Sequence, residues 1–181
     1  MINKFINSYK LIKTRGFHVA LNAIIRILYF TIKGIFINSN LILVNIYNFR
    51  MFLSLKDKGL SRSLLLFANR ELDHKYLLEK IVNKNSIILD IGANIGYYAL
   101  IEKTLVENSS NILCIEPIAE NYFILNKNLK YNNSKSKTLE GAVSNEDSTK
   151  EINLAHHSNL SSFHYNESKN KIYTSNKVLV K

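Results

Sequence analysis

Cysteine, proline and early acidic residues are nearly absent from this sequence. A single cysteine, Cys114, among 181 residues excludes an intramolecular disulfide framework and a cysteine-rich zinc site, and it fits a reducing compartment. One proline and six glycines leave no collagen-like or disordered composition, and with 46% apolar residues the chain can bury a core. No aspartate or glutamate precedes Asp57. The net charge of +10 is therefore lopsided: residues 1–84 carry 14 Lys/Arg and 4 Asp/Glu, whereas residues 85–181 carry 10 of each. A nucleic-acid-binding catalytic domain keeps its basic charge near its site. Here the carboxyl-terminal half is neutral, so no nucleic-acid partner is expected.

Residues 1–48 read as a basic, amphipathic helical extension. From Arg15 the polar positions are Arg15, His18, Asn22, Arg26 and Lys33, with Tyr29 filling the gap; Leu21, Ile24, Ile25, Leu28 and Ile32 lie between them. That is a helix with a narrow basic stripe and a wide apolar face. It suits an interfacial position on an anionic membrane surface through residues 15–37, or docking on the domain or on a partner. A spanning helix fits less well, because Arg26 and Lys33 interrupt the apolar run. A cytoplasmic chain with peripheral contact at the inner membrane face is the expectation.

Residues 49–84 mix charges of both signs. They suggest a short strand at Met51–Leu55, a turn at Lys58-Gly59, a short helix capped by Ser61, and an amphipathic helix over Glu71–Val82. After Asn85, strand and helix alternate: Ile87–Ile91, Ile95–Val106, Asn111–Ile115, Ala119–Tyr131 and Thr138–Val143. Short aliphatic strands separated by helices imply a parallel sheet buried on both faces. Residues 85–181 are thus expected to form an α/β, Rossmann-like doubly wound sheet. A further strand is expected at Glu151–Ala155 and apolar turns around Val178–Val180.

The stretch ILDIGANIGYYAL, residues 88–100, carries the chemistry. Its first strand stops at Asp90, and Gly92 and Gly96 then permit a tight turn with close approach to the backbone. Unpaired amides at the start of the following helix favour an anionic ligand group, and Asn94 is placed to cap that helix or donate to a carboxylate. The next strand ends CIEP, which sets Glu116 at the neighbouring strand's carboxyl end, where an acid can accept from both hydroxyls of a ribose. A glycine turn followed by an acid about 20 residues on indicates an adenosine-bearing ligand. Asn94 occupies the position of the glycine that a dinucleotide's pyrophosphate needs. That disfavours a nicotinamide cofactor and suits the aminoacyl tail of S-adenosyl-L-methionine, with Asp90 handling the amino group directly or through water.

LDIGANIGYYAL, CIEPIAENYFILNKNLKYNN and LEGAVSNEDS together resemble the FkbM family of S-adenosylmethionine-dependent methyltransferases, and KDKGLSRSLLLFANREL resembles the lead-in of some members. The resemblance covers roughly residues 50–180. It implies that Asp90, Gly92, Ala93, Asn94 and Gly96 contact the methionine moiety, that Glu116 holds the ribose, and that Pro117 and Ala142 lie against the adenine. It also implies O-methylation, of a sugar or natural-product hydroxyl as the small-molecule or glycan acceptor. Family members continue into a threonine-leucine-aspartate stretch and a D-x-E-G motif, whereas this sequence reaches Val180-Lys181 where that stretch would begin. A carboxyl-terminally truncated domain with an unpaired edge on its first strand is the expectation, the alternative being that the amino-terminal helices cap that edge.

No catalytic residue is assigned. His156, His157 and His164 lie in a stretch that reads as an acceptor-binding loop or a solvated hairpin, and without an acidic partner at fixed spacing they make no metal site. Cys114, inside an apolar strand, reads as inert packing. Tyr97 and Tyr98 begin a helix, one expected in the core and the other near the cofactor. Two competing readings are an inactive remnant acting as a binding module, and a nicotinamide-dependent enzyme.

Overall fold

The computed structural model describes residues 16–145 and the backbone of 148–155 and 172–180. Helix α1 (Phe17–Phe36) leads into a hairpin of β1 (Leu41–Ile46) and β2 (Phe49–Ser54). Two helices, α2 (Leu60–Phe67) and α3 (Leu72–Ile81), precede the α/β part. That part runs β3 (Ile88–Ile91), α4 (Tyr97–Leu105), β4 (Ile112–Glu116), α5 (Ala119–Tyr131) and β5 (Lys137–Glu140). Strands β3, β4 and β5 are parallel neighbours in that order, joined by the helical crossovers that parallel pairing requires. Finally, β6 (Ser148–Ala155) and β7 (Ile172–Val180) pair antiparallel with each other. The fold is α/β with a partial, Rossmann-like parallel sheet.

Of the expected helical extension over 1–48, the described residues 16–48 form a helix and a strand, because residues 41–46 form β1. Their burial alternates with the period of a strand. The sequence LILVNI concealed this: its outward positions are also aliphatic until Asn45, so no polar residue marks the exposed face. Strand β2 begins at Phe49, two residues before the expected strand. One apolar core joins these parts, running from Phe30 on α1 through Val44, Met51 and Leu64 to Leu100, Cys114 and Leu125.

Helix α5 fastens β2 by imitating a strand. The Asn128 side chain accepts from Phe52 N (2.6 Å) and donates to Phe52 O (3.2 Å) and Ile95 O (2.8 Å). One turn later, Asn132 does the same for Arg50 N (3.2 Å) and Arg50 O (2.7 Å). Residues four apart on a helix and two apart on a strand thus meet in register. Asn128 is fully buried, and its three hydrogen bonds account for a polar group there.

Local chemistry moves several expected boundaries. Ser61 lies within α2, where its hydroxyl accepts from Ser54 N; the turn is held by Asp57, whose carboxylate accepts from Gly59 N and Ser61 N, each at 2.7 Å. The basic stripe of α1 is not its outward face. The helix docks through Ala20, Ala23, Phe30 and Gly34, and Arg26 Nε donates to Leu65 O at 3.0 Å. Arg26 and Lys33 are half-buried, and apolar side chains dominate the solvent side. Burial on both faces also fails for β3: Leu89 and Ile91 are 55% and 57% exposed. Among the described residues β3 is an edge strand, paired with β4 alone.

Candidate functional site

The turn after β3 lies at the carboxyl end of the parallel sheet, and its conformation follows from three left-handed residues. Gly92 (φ 78°), Asn94 (φ 52°) and Gly96 (φ 86°) take the positive φ that glycine and asparagine accept most readily. The two glycines do different work. A Cβ on Gly96 would come within 2.8 Å of Leu125 Cδ1, so this position lets α5 approach the turn. A Cβ on Gly92 would meet nothing within 4 Å, so that position faces open space.

The amides of this turn are engaged within the protein, those of Ile95 and Gly96 at the expected helix start included. Gly92 N and Ala93 N both donate to Ile115 O, at 2.8 and 3.0 Å, and Gly96 N donates to Ala93 O at 2.9 Å. Asn94 N donates to Glu116 Oε2 at 2.8 Å, and Ile95 N to the Asn94 side-chain oxygen at 2.9 Å. Helix α4 starts at Tyr97 rather than Ile95, so its own first-turn amides lie one step further along.

Glu116 ties the site together. The residue is 3% exposed; besides Asn94 N, its carboxylate accepts from Ile118 N (3.0 Å) and Asn121 Nδ2 (3.2 Å). Its carbonyl accepts from Gly141 N at 3.1 Å, which draws the end of β5, and buried Ala142 beyond it, to the same end of the sheet. Half-buried Pro117 follows directly. Burial raises the Glu116 pKa, and the donors from Ile118, Asn121 and Asn94 oppose that rise. A carboxylate offers about four acceptor directions, so one remains.

Asp90 contrasts with it. Its Oδ2 is buried and has no hydrogen-bond partner. Burial, then the neighbouring Glu116 charge, pushes its pKa up to about 6, with His74 partly opposing. On α4, Glu102 is also buried with an unpartnered Oε2; burial and Asp90 push its pKa up to about 8. Cys114, in register beside Asp90, is held as a thiol, its pKa pushed up to about 12 by burial, Asp90 and Glu102.

Glu102 gives the chain a pH signature. Its proton is bound more tightly in the folded state, so its stabilising contribution is complete below the unfolded value near 4.5 and is lost as pH rises to about 8. The Asp90 portion of the same effect is spent by about pH 6. Urea midpoints measured against pH should therefore fall between about pH 6 and about pH 8, and Glu102→Gln should flatten that segment. An unchanged slope in the variant would place the titration elsewhere.

The two tyrosines that open α4 divide as their burial dictates. Tyr97 is in the core; its hydroxyl donates to Arg70 O (3.0 Å) and accepts from Arg70 N (3.1 Å). Tyr98 is half-buried, donates to Glu71 and packs against the His74 ring at 4.3 Å. His74 and Glu71 were not singled out from the sequence, because no spacing links them to the glycine turn; only the fold brings α3 alongside α4. His156, His157 and His164 lie outside the described residues.

No family model matches the chain, and no curated protein matches it. Among solved structures it is similar to Trm5 of Methanocaldococcus jannaschii in complex with adenosine, at 18% identity and TM-score 0.42, covering 57% of this chain and 29% of that one. It is likewise similar to a complex of aTrm5 with tRNALeu (19%, TM-score 0.43, 57% and 28%) and to M. jannaschii TYW2 in complex with AdoMet (17%, TM-score 0.42, 56% and 42%). The chain spans less than half the length of each. The expectation of no nucleic-acid partner is corrected here, since one of these neighbours is a complex with tRNA; charge distribution along the sequence does not exclude such a partner.

Proposed function

We propose that the chain binds S-adenosyl-L-methionine at the β3–α4 turn and belongs to a methyltransferase. The observation that carries this reading is the buried, unpartnered Oδ2 of Asp90 beside a glycine whose Cβ position is open. An ammonium group at Asp90 would supply the missing donor and counter-charge, and Gly92 would let the ligand meet the backbone. Glu116 has one acceptor direction left for a ribose hydroxyl, while Pro117 and Ala142 would lie against the adenine. The bound cofactor supplies an electrophilic methyl group on a sulfonium. The protein's part is to fix that carbon in line with the acceptor, which accounts for most of the rate enhancement in such a displacement.

The FkbM-like motifs favour a hydroxyl acceptor on a sugar or natural product. The exposed Leu89 and Ile91 on the edge strand favour a second reading, a binding module without turnover; cofactor binding with no transfer to any acceptor would select it.

Thermal melts with S-adenosylhomocysteine and with NAD test the ligand. At a hundredfold excess over its dissociation constant, S-adenosylhomocysteine should raise the midpoint by about 5 °C or more, and NAD should leave it unchanged. A shift with NAD alone would reject the proposal.

A further inference from the structure

A cavity of about 350 Å³ opens between α1 and the β1–β2 hairpin, far along the chain from the glycine turn. Arg26, Tyr29, Phe30, Lys33, Asn45 and Arg50 contribute to its lining, which includes no carboxylate. Aromatic rings position its three cations: Arg26 lies over Phe30 at 5.5 Å, Lys33 over Tyr29 at 5.9 Å and Arg50 over Tyr131 at 5.1 Å. The ion pairs found among the described residues, Arg70–Glu71 and Lys75–Glu79, involve none of them. A guanidinium stays charged at any physiological pH, and neighbouring cations with no carboxylate among the lining residues repel one another. An anion in the cavity would offset that repulsion.

The helix that forms one wall identifies the anion's carrier. On α1, the side chains of Ile24, Ile25, Leu28, Ile32, Ile35 and Phe36 are exposed, and the helix is long and apolar enough, by length and composition alone, to cross a membrane. A nucleic-acid strand could neutralise the three cations but would leave this apolar face in water. A phospholipid has both complements in one molecule, with a phosphate for the cavity and acyl chains for the helix. The chain's amino-terminal half also carries all of its excess positive charge, as contact with an anionic surface favours.

We propose that the cavity is a headgroup site for an anionic phospholipid, with α1 lying in the bilayer interface, its docked side on the protein and its apolar side in the lipid. The inference does not depend on methyl transfer.

Flotation of the full chain with phosphatidylcholine vesicles, with and without phosphatidylglycerol, tests it. The chain should float with the anionic vesicles, and Lys33→Gln/Arg50→Gln should weaken that partitioning about thirtyfold, roughly fivefold for each cation. Ile25→Asn/Leu28→Asn/Ile32→Asn should abolish flotation with the anionic vesicles. Matching circular dichroism spectra would establish that the variants fold. Equal flotation on both vesicle types, unaltered by the double substitution, would overturn the headgroup site. Competition by inorganic phosphate at concentrations matching the lipid would show a free-anion site instead. Binding of a single-stranded oligoribonucleotide that is lost in the double variant, without flotation, would reassign the surface to nucleic acid.

Discussion

Asp90→Asn is expected to raise the melting midpoint of the ligand-free chain while weakening its affinity for S-adenosylhomocysteine about tenfold or more. At neutral pH the native residue holds a charge whose Oδ2 is buried and unpartnered, with its pKa pushed up to about 6. Removing that charge relieves an unfavourable state worth about 1–3 kcal/mol. It also removes the counter-charge for an incoming ammonium group. A residue kept for ligand binding at the expense of stability behaves this way. Thermal melts and calorimetric titration on the same protein separate the outcomes. A lower midpoint with unchanged affinity would make Asp90 a structural residue and remove the basis for the proposed pocket.

Glu116→Ala is expected to do the opposite and lower stability by about 3 kcal/mol or more. The carboxylate accepts from Asn94 N, Ile118 N and Asn121 Nδ2 at once, and its loss strands three donors in a buried site. That is a large share of the about 5–15 kcal/mol by which domains are stable. Because the Asn94 amide belongs to the glycine turn, the pocket should loosen with the fold, and any loss of ligand affinity in this variant mixes the two effects. Urea unfolding measures the first effect directly. A stability loss below about 1 kcal/mol would mean that water replaces the carboxylate at little cost.

The place of the glycine turn was legible in the sequence, but its wiring was not. The aliphatic run ending at Asp90, the two glycines, and Glu116 at the end of the next strand locate the turn, and α5 has the limits its pattern indicates, Ala119–Tyr131. What Glu116 faces was not legible. An acid at a strand's carboxyl end can turn outward to a ribose or inward to a loop amide, and only the left-handed Asn94 brings that amide within 2.8 Å. Strand β1 was missed because its aliphatic outer face erased the alternation on which strand recognition depends. The cap at Asp57 was given to Ser61, since either side chain can accept a turn amide and the choice depends on which residue precedes the first helical turn. Asn128 carried a compositional signal, the asparagine-rich helix, but its partners on β2 are 76 residues away. The orientation of α1 required knowing which side its small residues Ala20, Ala23 and Gly34 would dock.

The most direct measurement is a calorimetric titration of S-adenosylhomocysteine into the purified, folded chain. Saturable one-site binding at about micromolar affinity, corresponding to about 8 kcal/mol, is expected, and NAD should not compete it away. A folded sample that gives no heat, and no midpoint shift on melting with the same ligand, would contradict it.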